Sequence, residues 1–124
     1  MVIVGHKALT DLVTKMMQGA GSEHAEAVSV AENLVEANLM GHDSHGVGLA
    51  PRYMLHAVTG TMNPGVSATL VTDNGVYLLL DGNMGYGQTI GREAMFTMSM
   101  LGITYCPTGL QPRLGLGLGL GLGL

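Results

Sequence analysis

The chain has 124 residues, nine acidic and five basic side chains, and a formal net charge of −4. That balance gives no basic footprint for nucleic acid, and one cysteine, Cys106, rules out an internal disulfide framework and fits a reducing compartment. No window reaches the roughly 18–20 unbroken apolar residues of a membrane span, and Met1–Lys7 is too short an apolar run for a secretory signal. A cytoplasmic chain with neither membrane nor nucleic-acid partners is expected.

Helical spacing of Ala8, Leu9, Leu12, Val13, Met16 and Met17 predicts a first helix over 7–18, stopped by Gly19 and Gly21. Ser22 is the expected cap of the next, whose positive end suits Glu23 and Glu26. This second helix is predicted over 23–40, with Ala27, Val28, Ala31, Leu34, Val35, Asn38 and Leu39 on one side and Gly41 as its stop. Asp43 or Ser44 can cap a third over 46–58, with Pro51 near its first turn and Gly60 after it. Residues 1–60 are thus expected to form a helical N-terminal region.

Near Pro64 the apolar period changes from helical to alternating. Val66–Thr72 and Val76–Leu80 flank Asp73-Asn74-Gly75, and Asn-Gly between β-rich runs predicts a hairpin. Asp81–Gly87 reads as a loop, and Gln88–Met100 can open a helix. The expected fold class is α+β: a three-helix cluster, a β-hairpin and a helix. Residues 61–95 are expected to begin a mixed α/β region.

Patterning fails from Phe96 onward. After Glu93 the only charged residue is Arg113, and Cys106–Gly109 and Gln111-Pro112 are expected to break both helix and strand. From Leu114 to Leu124 leucine alternates with glycine. Such a repeat has one apolar face, no second surface and high backbone entropy. Residues 96–124 are therefore expected to be a poorly ordered low-complexity tail.

Chemistry concentrates in Gly41-His42-Asp43-Ser44-His45-Gly46-Val47. It sets an imidazole and a hydroxyl at a predicted helix start, where N–H groups and the dipole favour an anion and disfavour an imidazolium. Asp-Ser-His-Gly is equally a good helix cap. The Arg52 guanidinium can form a bidentate pair with a carboxylate, or simply face solvent. His42 and His45 with Asp43 lack a third histidine or cysteine at metal-ligand spacing, so no metal is expected. Asp43, Ser44 and His45 are adjacent at a cap and do not make a hydrolase triad. His6, His24 and His56 are expected to face solvent. Gly85–Gly91 fails the dinucleotide fingerprint, because Ile90 stands where its third glycine belongs and a hairpin precedes it.

Several motifs occur together: Asn38-Leu39-Met40-Gly41-His42-Asp43-Ser44-His45-Gly46, Pro51-Arg52-Tyr53, Asp-Gly-x-x-Gly-x-Gly-Gln at 81–88, and Gly91-Arg92-Glu93-Ala94-Met95. In combination, over about Lys7 to Met95, the chain resembles the malate/L-lactate dehydrogenase family. The resemblance implies a homodimeric oxidoreductase using NAD or NADP on a small 2-hydroxyacid or 2-oxoacid, unrelated in fold to the Rossmann lactate dehydrogenases. It implies His45 as the catalytic general acid/base, with Ser44 and Arg52 binding substrate. Leu49 stands where many members carry an arginine. After Met95 the family continues into a cofactor-binding part that this sequence does not resemble, a break of the kind a frameshift or misjoined gene model produces. The expectation is a truncated, inactive dehydrogenase fragment that binds no cofactor. The alternative is a non-catalytic helical remnant or interaction module.

Overall fold

Apolar stripes at helical spacing become three helices in the computed structural model, which describes residues 3–75, 77–100, 105–106 and 109–110. They are α1 (His6–Gly19), α2 (His24–Leu39) and α3 (Ala50–Val58). Two compact units divide the described residues, one from Met1–Val66 and Met84–Thr89, the other from Ser67–Asn83 and Ile90–Leu124.

In the first unit the apolar faces of α1 and α2 meet. Val13 and Met17 from α1, Ala27, Val30, Ala31 and Leu34 from α2, Ala50 from α3, and Tyr86 are fully buried together. Removing a Val, Leu or Met side chain from water in this way stabilises by about 1.5–3 kcal/mol each. Met16, Val47, Leu49, Tyr53, Met54 and Met62 pack around that centre.

All three helices stop by one device. Gly41 takes φ +81°, its N–H donates to the Asn38 carbonyl, and the His42 N–H donates to the Ala37 carbonyl. These paired bonds satisfy the orphan carbonyls of the last turn, and only glycine enters the left-handed region without a Cβ penalty. Gly21 after α1 and Gly60 after α3 repeat the pattern.

Two helix starts differ from expectation. Ser22 does not cap α2; it completes the turn that closes α1, its N–H donating to the Met17 carbonyl, and Glu23 holds the cap position without a side-chain bond. The third helix begins at Ala50 rather than 46. Asp43–His45 and Val47–Leu49 are instead two single 3₁₀ turns. Pro51 lacks an N–H and fits only the first turn of an α-helix, where it is found. Gly46, in extended conformation, separates the two short turns.

In the second unit β1 (Thr69–Asp73) pairs antiparallel with β2 (Leu78–Asp81), and the chain reverses through Asn74-Gly75 as predicted. Gly75 adopts φ +85°, Asp73 Oδ1 accepts from its N–H, and Asn74 Oδ1 accepts from the Tyr77 N–H. Register shifts between Leu70 and Thr72, leaving Val71 as the extra residue of a β-bulge. Asn83, also left-handed at φ 50°, is held by Asp81 Oδ1 and donates to the Ser67 carbonyl and Thr69 Oγ1.

Helix α4 (Gly87–Met100) contributes its first residues to the first unit and the rest to the second. It continues through Phe96–Met100, as the helix expected over Gln88–Met100 does, and so takes in the first five residues of the segment expected to lose order. Those residues are adequate helix formers, and no glycine or proline intervenes between Gly91 and Gly102. Glu93 accepts hydrogen bonds from Ser67 Oγ (3.1 Å) and the Ala68 N–H (2.7 Å). Tyr105–Cys106 (β3) pairs antiparallel with Gly109–Leu110 (β4). The Leu-Gly repeat from Leu114 lies outside the described residues. Among the described residues no helix is long and apolar enough to cross a membrane.

Candidate active site at the end of the second helix

Where Gly41 ends α2, the chain turns back across the helix terminus, and the Asn38 side chain fastens it there. Asn38 Nδ2 donates to Asp43 Oδ1, and Asn38 Oδ1 accepts from the Val47 N–H at 2.7 Å. Gly46 lies buried between these anchors. Its φ of −90° is open to any residue, but a Cβ there would collide with the Asn38 amide. The glycine is required by proximity, not by conformation.

The loop so held presents Ser44 and His45 outward. Ser44 Oγ and His45 Nδ1 share a hydrogen bond of 2.9 Å, and both residues are exposed. His45 borders an open groove of about 470 Å³ whose other walls are Asn33, Glu36, Ala37, Met40 and His42. The groove therefore offers two imidazoles, a carboxylate and an amide beside a small apolar floor. Because α3 begins only at Ala50, His45 does not sit at an α-helix N-terminus, and the dipole argument made for it has no helix to act from.

Arg52 is exposed in the first turn of α3. It does not line the groove, and among the described residues it makes no ion pair. Ser44 and His45 are joined by their hydrogen bond, and Arg52 lies on the next helix, outside the groove lining. His6 and His24 face solvent as expected, whereas His56 is half-buried with Nδ1 2.7 Å from Thr61 Oγ1. Among the described residues no three His, Cys, Asp or Glu side chains gather as metal ligands.

Gly85-Tyr86-Gly87 is a loop-to-helix junction after an antiparallel hairpin, as its sequence context implied. Tyr86 turns inward and is fully buried, its ring tilted 50° against Tyr53 with centroids 5.8 Å apart. Burial pushes the Tyr86 phenol up; the nearby Ser22 hydroxyl offsets part of this, and Glu26 and Tyr53 add to it. Neither the Tyr86 nor the Ser22 hydroxyl completes a well-formed hydrogen bond. A Rossmann-type dinucleotide site needs backbone N–H groups open to a pyrophosphate at the start of a helix following a parallel strand. This junction, filled by an inward tyrosine, is not a site of that type.

The residues that build the site were only partly visible in sequence. Asn38 shares one side of α2 with Ala27, Val28, Ala31, Leu34 and Val35, and nothing in periodicity marks an amide that reaches nine residues forward. A signal did exist: an Asn at the end of a helix, followed by Gly, Asp and a second Gly within eight residues.

The helical cluster, hairpin and His45 loop belong together in one known class of enzyme: residues 4–101 match the malate/L-lactate dehydrogenase family. The chain belongs to that family. It is 37% identical over 95 residues to hydroxycarboxylate dehydrogenase B of Escherichia coli (strain K12), covering 73% of this chain and 26% of the relative. It is 34% identical over 87 residues to malate dehydrogenase of Pyrococcus abyssi, covering 70% and 24%. Its fold matches the structure of malate dehydrogenase from Pyrococcus horikoshii with a TM-score of 0.74 at 29% identity, over 82% of this chain and 30% of that one. Sulfolactate dehydrogenase from Methanocaldococcus jannaschii matches with a TM-score of 0.73 at 27% identity, over 80% and 29%. The chain therefore spans about a quarter of the length of the curated relatives it matches.

Proposed function

We propose that this chain is the imidazole-bearing N-terminal part of an NAD(P)-dependent 2-hydroxyacid oxidoreductase, and that by itself it is not a catalyst. The hydrogen bond between Ser44 Oγ and His45 Nδ1 carries the first half of this reading. With Nδ1–H donating to Ser44, the Nε2 lone pair is free to take the hydroxyl proton of a 2-hydroxyacid. In the reverse direction the imidazolium returns that proton to the carbonyl oxygen of a 2-oxoacid. Ser44 doubles as a substrate hydrogen-bond partner. Arg52, exposed and without an ion pair among the described residues, is the proposed ligand of the substrate carboxylate.

The second half rests on exposure. Proton and hydride transfer call for a site that excludes water and fixes both reactants, yet Ser44, His45 and Arg52 all face solvent. The 85–91 junction is not a Rossmann-type dinucleotide turn, and no step is derived through a dinucleotide. Residues 1–60 are proposed as the helical N-terminal region and 61–95 as the start of the catalytic region of a cytoplasmic, homodimeric enzyme. Residues 96–124 are proposed as a low-complexity tail, of which 96–101 still fall within the family match.

Two assays decide this. Titration of the chain with NADH, followed by fluorescence, and absorbance assays on oxaloacetate and pyruvate are expected to show no saturable binding and no turnover. Saturable binding, or turnover above that of His45→Ala, would overturn the claim of inactivity. Grafted in place of the equivalent residues of hydroxycarboxylate dehydrogenase B, residues 1–95 should restore activity. His45→Ala in that chimera should then lower turnover by about 10²–10⁴-fold, while Arg52→Ala should mainly raise KM. A folded His45→Ala chimera with normal turnover would leave His45 a loop residue only.

A further inference from the structure

We infer that Asn38 is the positioning residue of this site, fixing through its side-chain amide the direction in which the loop presents His45. The catalytic importance of that direction rests on the reading of His45 just given; the clamp itself stands on geometry alone. Three observations converge. Asn38 uses both ends of its amide, Nδ2 to Asp43 and Oδ1 to the Val47 N–H, so that the three residues between those anchors, Ser44, His45 and Gly46, are spanned by one planar group. Its main-chain carbonyl takes part in the turn that ends α2, so the clamp is mounted on the rigid end of a helix. Buried Gly46, directly after His45, has no room for a Cβ because the same amide fills that space.

An amide is the right group for this task. Alanine would leave the Val47 N–H and the Asp43 carboxylate without their partner. Aspartate would keep an acceptor for Val47 but set a second negative charge against Asp43, where like charges in contact repel. Exchanging both residues at once, in Asn38→Asp/Asp43→Asn, restores one donor and two acceptors with the roles reversed and the net charge unchanged.

The test is made on the full chain with nitrogen-15 labelling, reading amide exchange at Val47 and the ring nitrogen and carbon-bound proton signals of His45. Asn38→Asp should speed exchange at Val47 by about tenfold, the scale of a hydrogen bond lost or weakened, and should move or broaden the His45 ring signals. The double exchange should return both readouts most of the way to wild type. Asn38→Ala should behave like Asn38→Asp; should it fail to fold, the comparison between Asn38→Asp and the double exchange still decides. His45 signals and Val47 exchange unchanged in Asn38→Asp, or disturbed equally in the double exchange, would overturn the inference. None of these readouts involves turnover. Failure of the clamp therefore appears here, and failure of the catalytic reading appears only in the His45→Ala chimera.

Discussion

A tyrosine is the largest fully buried side chain among the described residues. Tyr86 is fully buried, and its hydroxyl completes no hydrogen bond among the described residues. A buried hydroxyl without a partner costs about 1–3 kcal/mol, so Tyr86→Phe is expected to be neutral or to stabilise by about 1 kcal/mol, read from the urea midpoint. A loss of more than about 1 kcal/mol would mean that the hydroxyl has a partner. The pH dependence has a definite sign. The folded phenol is raised above its ordinary value of 10.0, so above that pH the unfolded chain loses the proton first. The native state then binds more protons, and stability falls as pH rises through this window. Tyr86→Phe should remove that alkaline slope. An equally steep decline in the variant would assign it to other groups.

At the scale of elements, the three helices, their glycine stops and the Asn74-Gly75 hairpin were legible because each depends on residues close in sequence. Gly41 tests this directly. Its φ of +81° penalises any side chain, so Gly41→Ala should cost about 1–2 kcal/mol. Gly48→Ala meets no atom within 4 Å and has no positive φ, and should change stability by less than about 1 kcal/mol. Equal urea midpoints for the two variants would remove the distinction. What was not legible was the interruption between α2 and α3. Ser44 and Pro51 both read as helix-start residues, and choosing between them depends on Asn38 capturing the Val47 N–H, a side-chain bond that no apolar period records. Residues Phe96–Met100 drew two readings, the end of a helix opening at Gln88 and the start of the unpatterned tail, and the helix is what forms. Without charged residues they present no amphipathic pattern, yet intrinsic helix propensity is enough to extend a helix already begun at Gly87. In the site, the Ser44–His45 hydrogen bond joins residues adjacent in sequence, whereas the Asn38 clamp leaves no mark in the apolar pattern.

Across the whole molecule, stability is unevenly distributed. Every fully buried apolar side chain among the described residues belongs to the first unit. The second unit, in contrast, exposes Leu70, Val71, Leu79 and Phe96. A two-stranded hairpin with so little burial is marginal in water, and local opening follows burial. Amide exchange in Thr69–Asp81 should therefore approach that of an unstructured chain, while the middle of α2 is protected by at least about a hundredfold more, consistent with a difference of a few kcal/mol in opening free energy. Comparable protection in hairpin and helix would contradict this.

The Asn38 clamp also bears on how the site comes into being during folding. Its longest bond joins residues nine apart, and the turn at Gly41 joins residues three and five apart. Closing such short loops takes tens of nanoseconds, far less than assembling pairings distant in sequence. The loop carrying His45 is therefore set as soon as α2 is docked, ahead of anything the hairpin or later segments contribute. A ribosome that has released little more than the first fifty residues has already issued the complete instructions for this loop.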